Sequence, residues 1–174
     1  TNPATLATHL IATHLHPRAI LVAGAAGGSS KHTDIARVHL IDRAYYHDRR
    51  IPLPGFDTYA RGPEPLHHSD QLAAAFGATI ATISTGNAID TLPAELDFFN
   101  THNITVKDME TAAIAWTANL HAIPTLALRA ITDFYDHPTP ETQFLANFKA
   151  SLDALAHAVA QGIDSVISPA ATAN

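Results

Sequence analysis

One stretch of this chain is apolar from end to end, "AILVAG" at 19 to 24, and two more, "GATIATIST" at 77 to 85 and "PTLALRAI" at 124 to 131, are mostly apolar. A strand with one face in water would alternate, so continuous runs of this length point to strands covered on both faces. Between them lie segments with helical spacing. Leu6, Leu10 and Ile11 give a stripe after Asn2-Pro3, which has the form of an N-cap followed by proline at the first helical position. Positions 109, 112, 113, 116 and 120 share one helix face, and Leu145, Phe148, Leu152, Leu155, Val159, Ile163 and Val166 share another, behind a start at Thr139-Pro140-Glu141. Short helices are expected over Asp70–Phe76 and Pro93–Phe99. Strands alternating with helices specify an α/β fold of three layers: a mainly parallel or mixed central sheet covered by helices. We expect a single domain over 1–174.

Two segments differ from this pattern. "ARVHLIDRAYYHD" at 36 to 48 alternates, is rich in β-formers and reads as a strand. "RRIPLPGFDTYARGPEP" at 49 to 65 carries four prolines and two aromatics, and is expected to be a long, stiffened loop. Gly24, Gly27 and Gly28 are expected to form a tight turn after the first apolar run.

Composition excludes several function classes. Ten Lys and Arg against sixteen Asp and Glu give a net charge of −6. With no basic run longer than Arg49-Arg50, phosphate neutralisation on nucleic acid is not expected. The absence of cysteine removes disulfides, thiolate zinc sites and thiol nucleophiles. Twelve histidines are present, but none has a zinc spacing such as H-E-x-x-H, so neither metal nor cofactor is expected. No apolar run is long enough to span a bilayer, and no basic segment precedes a cleavage site, so the expected location is cytoplasmic, away from membrane. The chain opens with Thr and enters a helix at once, as a segment entered partway through a fold would.

In sheets of this kind ligands sit beyond the carboxyl ends of the strands. Three polar groups fall there: the glycine-rich "GAAGG", "STGNAID" at 84 to 90, and "RAITD" ending at Asp133. "GAAGG" has neither G-x-G-x-x-G spacing nor a P-loop lysine, which leaves it weak as a phosphate motif. Asp133 could be a plain turn residue, and Glu110 a helix-start carboxylate in the first turn of its helix. Arg129 is more telling. A charge inside an apolar strand needs a partner, and Glu110 on the neighbouring helix is the natural one.

"VKDMETAAIAWTANLHAIPTLALRAITD" at 106 to 133 resembles the signature of the nucleoside phosphorylase and nucleosidase superfamily. "YHDRRIPLPGFDTY" at 46 to 59 and "STGNAID" are similar to the plant-type 5'-methylthioadenosine nucleosidases, within the 5'-methylthioadenosine/S-adenosylhomocysteine nucleosidases. The likeness runs along about Thr1 to Ser168, and the pairing of D-M-E with R-A-I-T-D is its most specific part. It implies hydrolysis of the N-glycosidic bond of 5'-methylthioadenosine or a related adenine nucleoside. Asp133 would be the acid that protonates adenine N7, and Glu110 would accept hydrogen bonds from the ribose hydroxyls. Met109 would pack on the sugar, the Ile89 backbone would read the adenine edge, and Arg129 would hold Glu110. Ala25 and Gly27, in the glycine-rich stretch, would line the substrate site. The resemblance also implies a homodimer in which Ile51, Leu53, Phe56 and Tyr59 reach toward the partner's pocket.

The chain departs from the family pattern at several points. The family's opening strands have no counterpart, and no residue matches the Glu that activates water. Ala25 stands in place of Ser or Thr, Asn87 in place of Asp, and "IARV" in place of I-G-D-V. "ILVAG" lacks the arginine expected of a phosphorylase before the glycines, which favours water as the acceptor. A phosphorylase of the same superfamily and a non-catalytic nucleoside-binding or storage-type relative remain as alternatives.

Overall fold

The computed structural model describes residues 1–167, and the end of the chain from 168 lies outside them. Helix α1 (Asn2–Leu15) leads into strand β1 (Ile20–Gly28), followed by β2 (Val38–Tyr46), α2 (Asp57–Arg61), β3 (Glu64–Pro65) and α3 (Asp70–Ala75). Then come β4 (Thr79–Thr85), α4 (Pro93–Thr101), β5 (Val106–Asp108), α5 (Thr111–Leu120), β6 (Thr125–Phe134), α6 (Pro140–Gly162) and α7 (Asp164–Ile167).

The sheet is mixed, in the order β3-β2-β4-β5-β1-β6. β1 runs parallel to β6, and β4 is parallel to both β2 and β5. β2 also turns back to pair antiparallel with β6 over Val38–Leu40, which brings the two ends of the sheet together. Helices cover both sides. α5 packs with Ile41, Ala44, Ile83, Val106 and Ile131 on one side, with α1 lying over α5. α6 and α3 pack on the other side with Leu40, Phe76, Leu126 and Leu128. This is the three-layer α/β arrangement expected from the alternating runs.

Several local expectations are corrected. Asn2 is the first helical residue and Thr1 the N-cap. The stripe Leu6, Leu10 and Ile11 faces outward, while α1 buries the small residues Thr8 and Ala12, because close helix packing on α5 has room only for short side chains. The glycines do not form a turn: β1 continues through Gly24, Gly27 and Gly28. Nor is β1 buried throughout, since most of its residues are only partly covered. The 49–65 segment contains α2 and the two residues of β3 rather than loop alone. Met109 precedes α5, whose buried positions Thr111, Ala112, Ala113, Ala115, Thr117 and Ala118 surround most of the helix, leaving Trp116 and Leu120 exposed. An all-small helix can be buried almost all round, so a single apolar stripe was the wrong pattern for it. On α6, Leu145 and Phe148 are exposed, and the stripe reaches the core only from Leu152 onward.

Candidate active site

A cleft open to solvent lies at the carboxyl ends of β1, β5 and β6. Ala25 and Gly27 come from β1, Asp133 from β6, Met109 and Glu110 from the turn between β5 and α5, and Ile89 from the segment after β4. The cleft therefore brings together six of the seven residues picked from the sequence. The seventh, Arg129, lies behind it.

Arg129 and Gly24 are opposite one another on β6 and β1. A side chain at Gly24 would collide with the guanidinium, so this glycine makes room for a buried cation. Arg129 is 4% exposed. Its Nη2 lies 2.5 Å from Asp108 Oδ2 and 3.5 Å from Glu110 Oε2. The expected Arg129–Glu110 pair is thus present but secondary. Asp108 is the main partner, because it is buried at the end of β5 whereas the Glu110 side chain is 47% exposed. The hydroxyl of Thr111 adds two acceptor contacts to Arg129, at 3.0 and 2.9 Å. Asp108 also accepts from the Thr111 amide at 2.9 Å and from the Thr85 hydroxyl at 2.5 Å. A charge-assisted network of this kind ties β4, β5, β6 and the start of α5 into one support.

Glu110 is the N-cap residue of α5, not part of its first turn, and makes no side-chain cap. Its carboxyl is left free to face the cleft. Burial, followed by the nearby charge of Asp108, raises its pKa, and Arg129 opposes both. Asp133 is 5% exposed. It accepts a hydrogen bond from Thr132 Oγ1 at 2.7 Å. Burial raises its pKa, against the smaller effects of that hydrogen bond and of Lys107. Burial of this kind disfavours the charged form of a carboxyl. Gly27 is opposite Asp133 in the β1–β6 register, and a Cβ there would stand 2.9 Å from Asp133 Oδ2. The glycine is needed for the carboxyl to lie across the strand.

Sequence reasoning missed Asp108 and Lys107, both 6% exposed or less and both lining the cleft. They sit on the three-residue strand β5, too short to show a period. The available signal was two charges between Val106 and a buried helix. Asn87 is explained by Asp48: its amide Nδ2 and backbone NH both donate to Asp48 Oδ2, at 2.6 and 2.9 Å. A second carboxylate at position 87 would face the first.

A mixed sheet closed by α5 and α6, with a carboxyl-lined cleft at its strand ends, defines an α/β protein of the nucleoside phosphorylase type. The chain belongs to the phosphorylase superfamily, whose family model matches residues 1–168. It is 34% identical over 167 residues to the 5'-methylthioadenosine/S-adenosylhomocysteine nucleosidase of Arabidopsis thaliana, covering 94% of this chain and 65% of the relative. With the 5'-methylthioadenosine nucleosidase of the same plant it shares 36% identity over 157 residues, 89% of this chain and 59% of the relative. The chain thus spans less than two thirds of the length of these curated relatives. The apo structure of Arabidopsis thaliana 5'-methylthioadenosine nucleosidase superposes with a TM-score of 0.91 at 33% identity, over 95% of this chain and 69% of that one. Among the described residues, no helix is long and apolar enough to cross a membrane.

Proposed function

We propose that this chain carries the site of an N-glycosidic hydrolase that acts on 5'-methylthioadenosine or a related adenine nucleoside. One observation carries the reading: a buried carboxyl whose pKa is raised by burial and a second, half-exposed carboxyl line the same cleft. In this reading adenine lies beside Asp133 and the backbone of Ile89. The ribose lies over Met109, with its hydroxyls donating to Glu110, and Ala25 and Gly27 form the floor. Arg129 and Asp108 hold the support on which Glu110 stands.

Asp133 gives its proton to N7 as the C1'–N9 bond breaks, so the bonding pair leaves with a neutral base. Water then bonds to the electron-poor C1' and gives up a proton, which returns through solvent to the Asp133 carboxylate and restores the acid. General acid work by one positioned carboxyl is typically worth about 10²–10⁴ in rate. The similarity to two nucleosidases supports water over phosphate as acceptor.

The protein is further proposed to form a homodimer. Leu53, Phe56 and Tyr59 are exposed on and before α2, as an isologous contact would require.

The direct test supplies 5'-methylthioadenosine with and without phosphate and follows adenine release. Equal rates, with free methylthioribose as the second product, support the hydrolase. A phosphate-dependent rate yielding a sugar 1-phosphate transfers the chain to the phosphorylases, and bound adenine nucleoside with no release makes it a binding protein.

A further inference from the structure

Lys107 is a buried cation to which the nucleosidase reading gives no task. It is 4% exposed, an uncommon place for an ammonium. Its Nζ donates to the Ile89 carbonyl at 3.0 Å and to Thr91 Oγ1 at 2.9 Å, and more closely to the Asp90 carbonyl. All three acceptors are neutral, and all belong to the irregular segment 89–91 at the edge of the cleft. Among the described residues, no other hydrogen bond holds Ile89, Asp90 or Thr91.

The sheet register adds a second relation. Lys107 on β5 is opposite Gly27 on β1, and Gly27 is opposite Asp133 on β6. Residues directly opposed on neighbouring strands project to the same face. Lys107 and Asp133 therefore flank a position without a side chain, with backbones about 10 Å apart, two strand spacings. Within a partly dry cleft, a full charge acts across such a gap.

We propose that Lys107 is a positioning residue whose ammonium pins segment 89–91 to the cleft wall and holds a positive charge within electrostatic reach of Asp133. One side chain thereby couples the backbone that faces the base to the acid that protonates it. This deepens the nucleosidase reading and rests on it. The other charged and titratable groups around the pair are Asp90 on the segment, Glu95 on α4, His47 and Asp48 after β2, and Asp108 and Glu110 in the cleft. Burial lowers the pKa of Lys107, while Glu95, Asp90, Asp133 and Asp48 oppose that loss of charge. The charge of Lys107 in turn opposes the effect of burial on Asp133.

The experiment compares the unaltered chain with Lys107→Met and Lys107→Arg by two measurements that need no turnover. Backbone amide relaxation reads the order of 88–92, and the carboxyl carbon resonance of Asp133, assigned by its loss in Asp133→Asn, reads that group's titration. Lys107→Met should lower the order parameters of 88–92 to below about 0.6 with β6 unchanged, and should move the Asp133 midpoint to higher pH. Lys107→Arg should keep the midpoint near its original place. A merely structural lysine would loosen 88–92 and leave the midpoint still; that result, or unchanged order at 88–92 in Lys107→Met, overturns the proposal. If Lys107→Met does not fold, Lys107→Gln carries the same two readings. Should the chain release no adenine while both shifts occur, the nucleosidase reading falls and the role of Lys107 stands. Adenine release with neither shift gives the reverse.

Discussion

Asp108→Asn tests the support beneath the cleft. Arg129 and Asp108 have side chains 5% and 1% exposed, at 2.5 Å, so the substitution removes the near counter-charge of a buried guanidinium. Asp108 uses both carboxylate oxygens as acceptors, toward Thr85 on one side and toward Thr111 and Arg129 on the other. An amide has one acceptor oxygen, so a donor must turn toward one of these groups. Breaking a buried pair from one side costs about 3–5 kcal/mol. With a urea dependence of roughly 2 kcal/mol/M, the unfolding midpoint should fall by roughly 1.5–2.5 M. Circular dichroism during urea titration measures it. Glu110→Gln is the control: at 3.5 Å from Arg129 and 47% exposed, its side chain should cost under about 1 kcal/mol. Asp108→Asn combined with Arg129→Met should recover part of the loss, since an apolar partner no longer strands a charge. Equal losses in Asp108→Asn and Glu110→Gln would refute the assignment of Asp108 as the main partner.

Asp133→Asn should keep adenine nucleoside binding within about tenfold and slow adenine release by about a hundredfold or more. Because Asp133 donates only while protonated, release in the unaltered chain should fall as pH rises through its raised pKa, a limb read from a rate profile. Glu110→Gln should weaken nucleosides far more than free adenine, measured by calorimetry on both ligands. His39, bonded to the hydroxyls of Thr33 and Thr79, has its pKa lowered from 6.5 to about 4 by burial. Below pH 6.5 the unfolded chain takes a proton that the folded one refuses, so about 3 kcal/mol of stability should be lost on acidification toward pH 4. Urea midpoints at several pH values check this, and His39→Gln should flatten the trend. Phe56→Asp should dissociate the proposed dimer, read by sedimentation at micromolar concentration; a monomeric unaltered chain would remove that proposal.

The strands and the cleft were legible because they rest on patterns longer than a few residues. The runs ending at Gly24, Thr85 and Ile131 mark three strands, and ligand-facing residues fall just beyond those ends. Asp133, Glu110 and Ile89 could be placed together once those ends were known to be neighbours. Pair choice was not legible in the same way. Asp108 and Glu110 stand two residues apart, and only the backbone path into α5 decides which of them reaches Arg129 first. Exposure failed for a related reason. Leu6 and Leu10 have the spacing of a buried stripe, yet α1 meets α5 through Thr8 and Ala12, a preference set by the small residues of its partner helix.

The register of β1 with β6 has a kinetic consequence. Ile20 is opposite Thr125 and Gly27 is opposite Asp133, so each of these contacts closes a loop of about a hundred residues. Closing such a loop costs roughly 2 kcal/mol more than closing one of about ten residues. Folds dominated by distant pairings form slowly. Helices α5 and α6 can form from local contacts, but Gly27 and Asp133 meet only after that long closure. During refolding, adenine binding should therefore lag the recovery of helical signal and mark the last step of assembly.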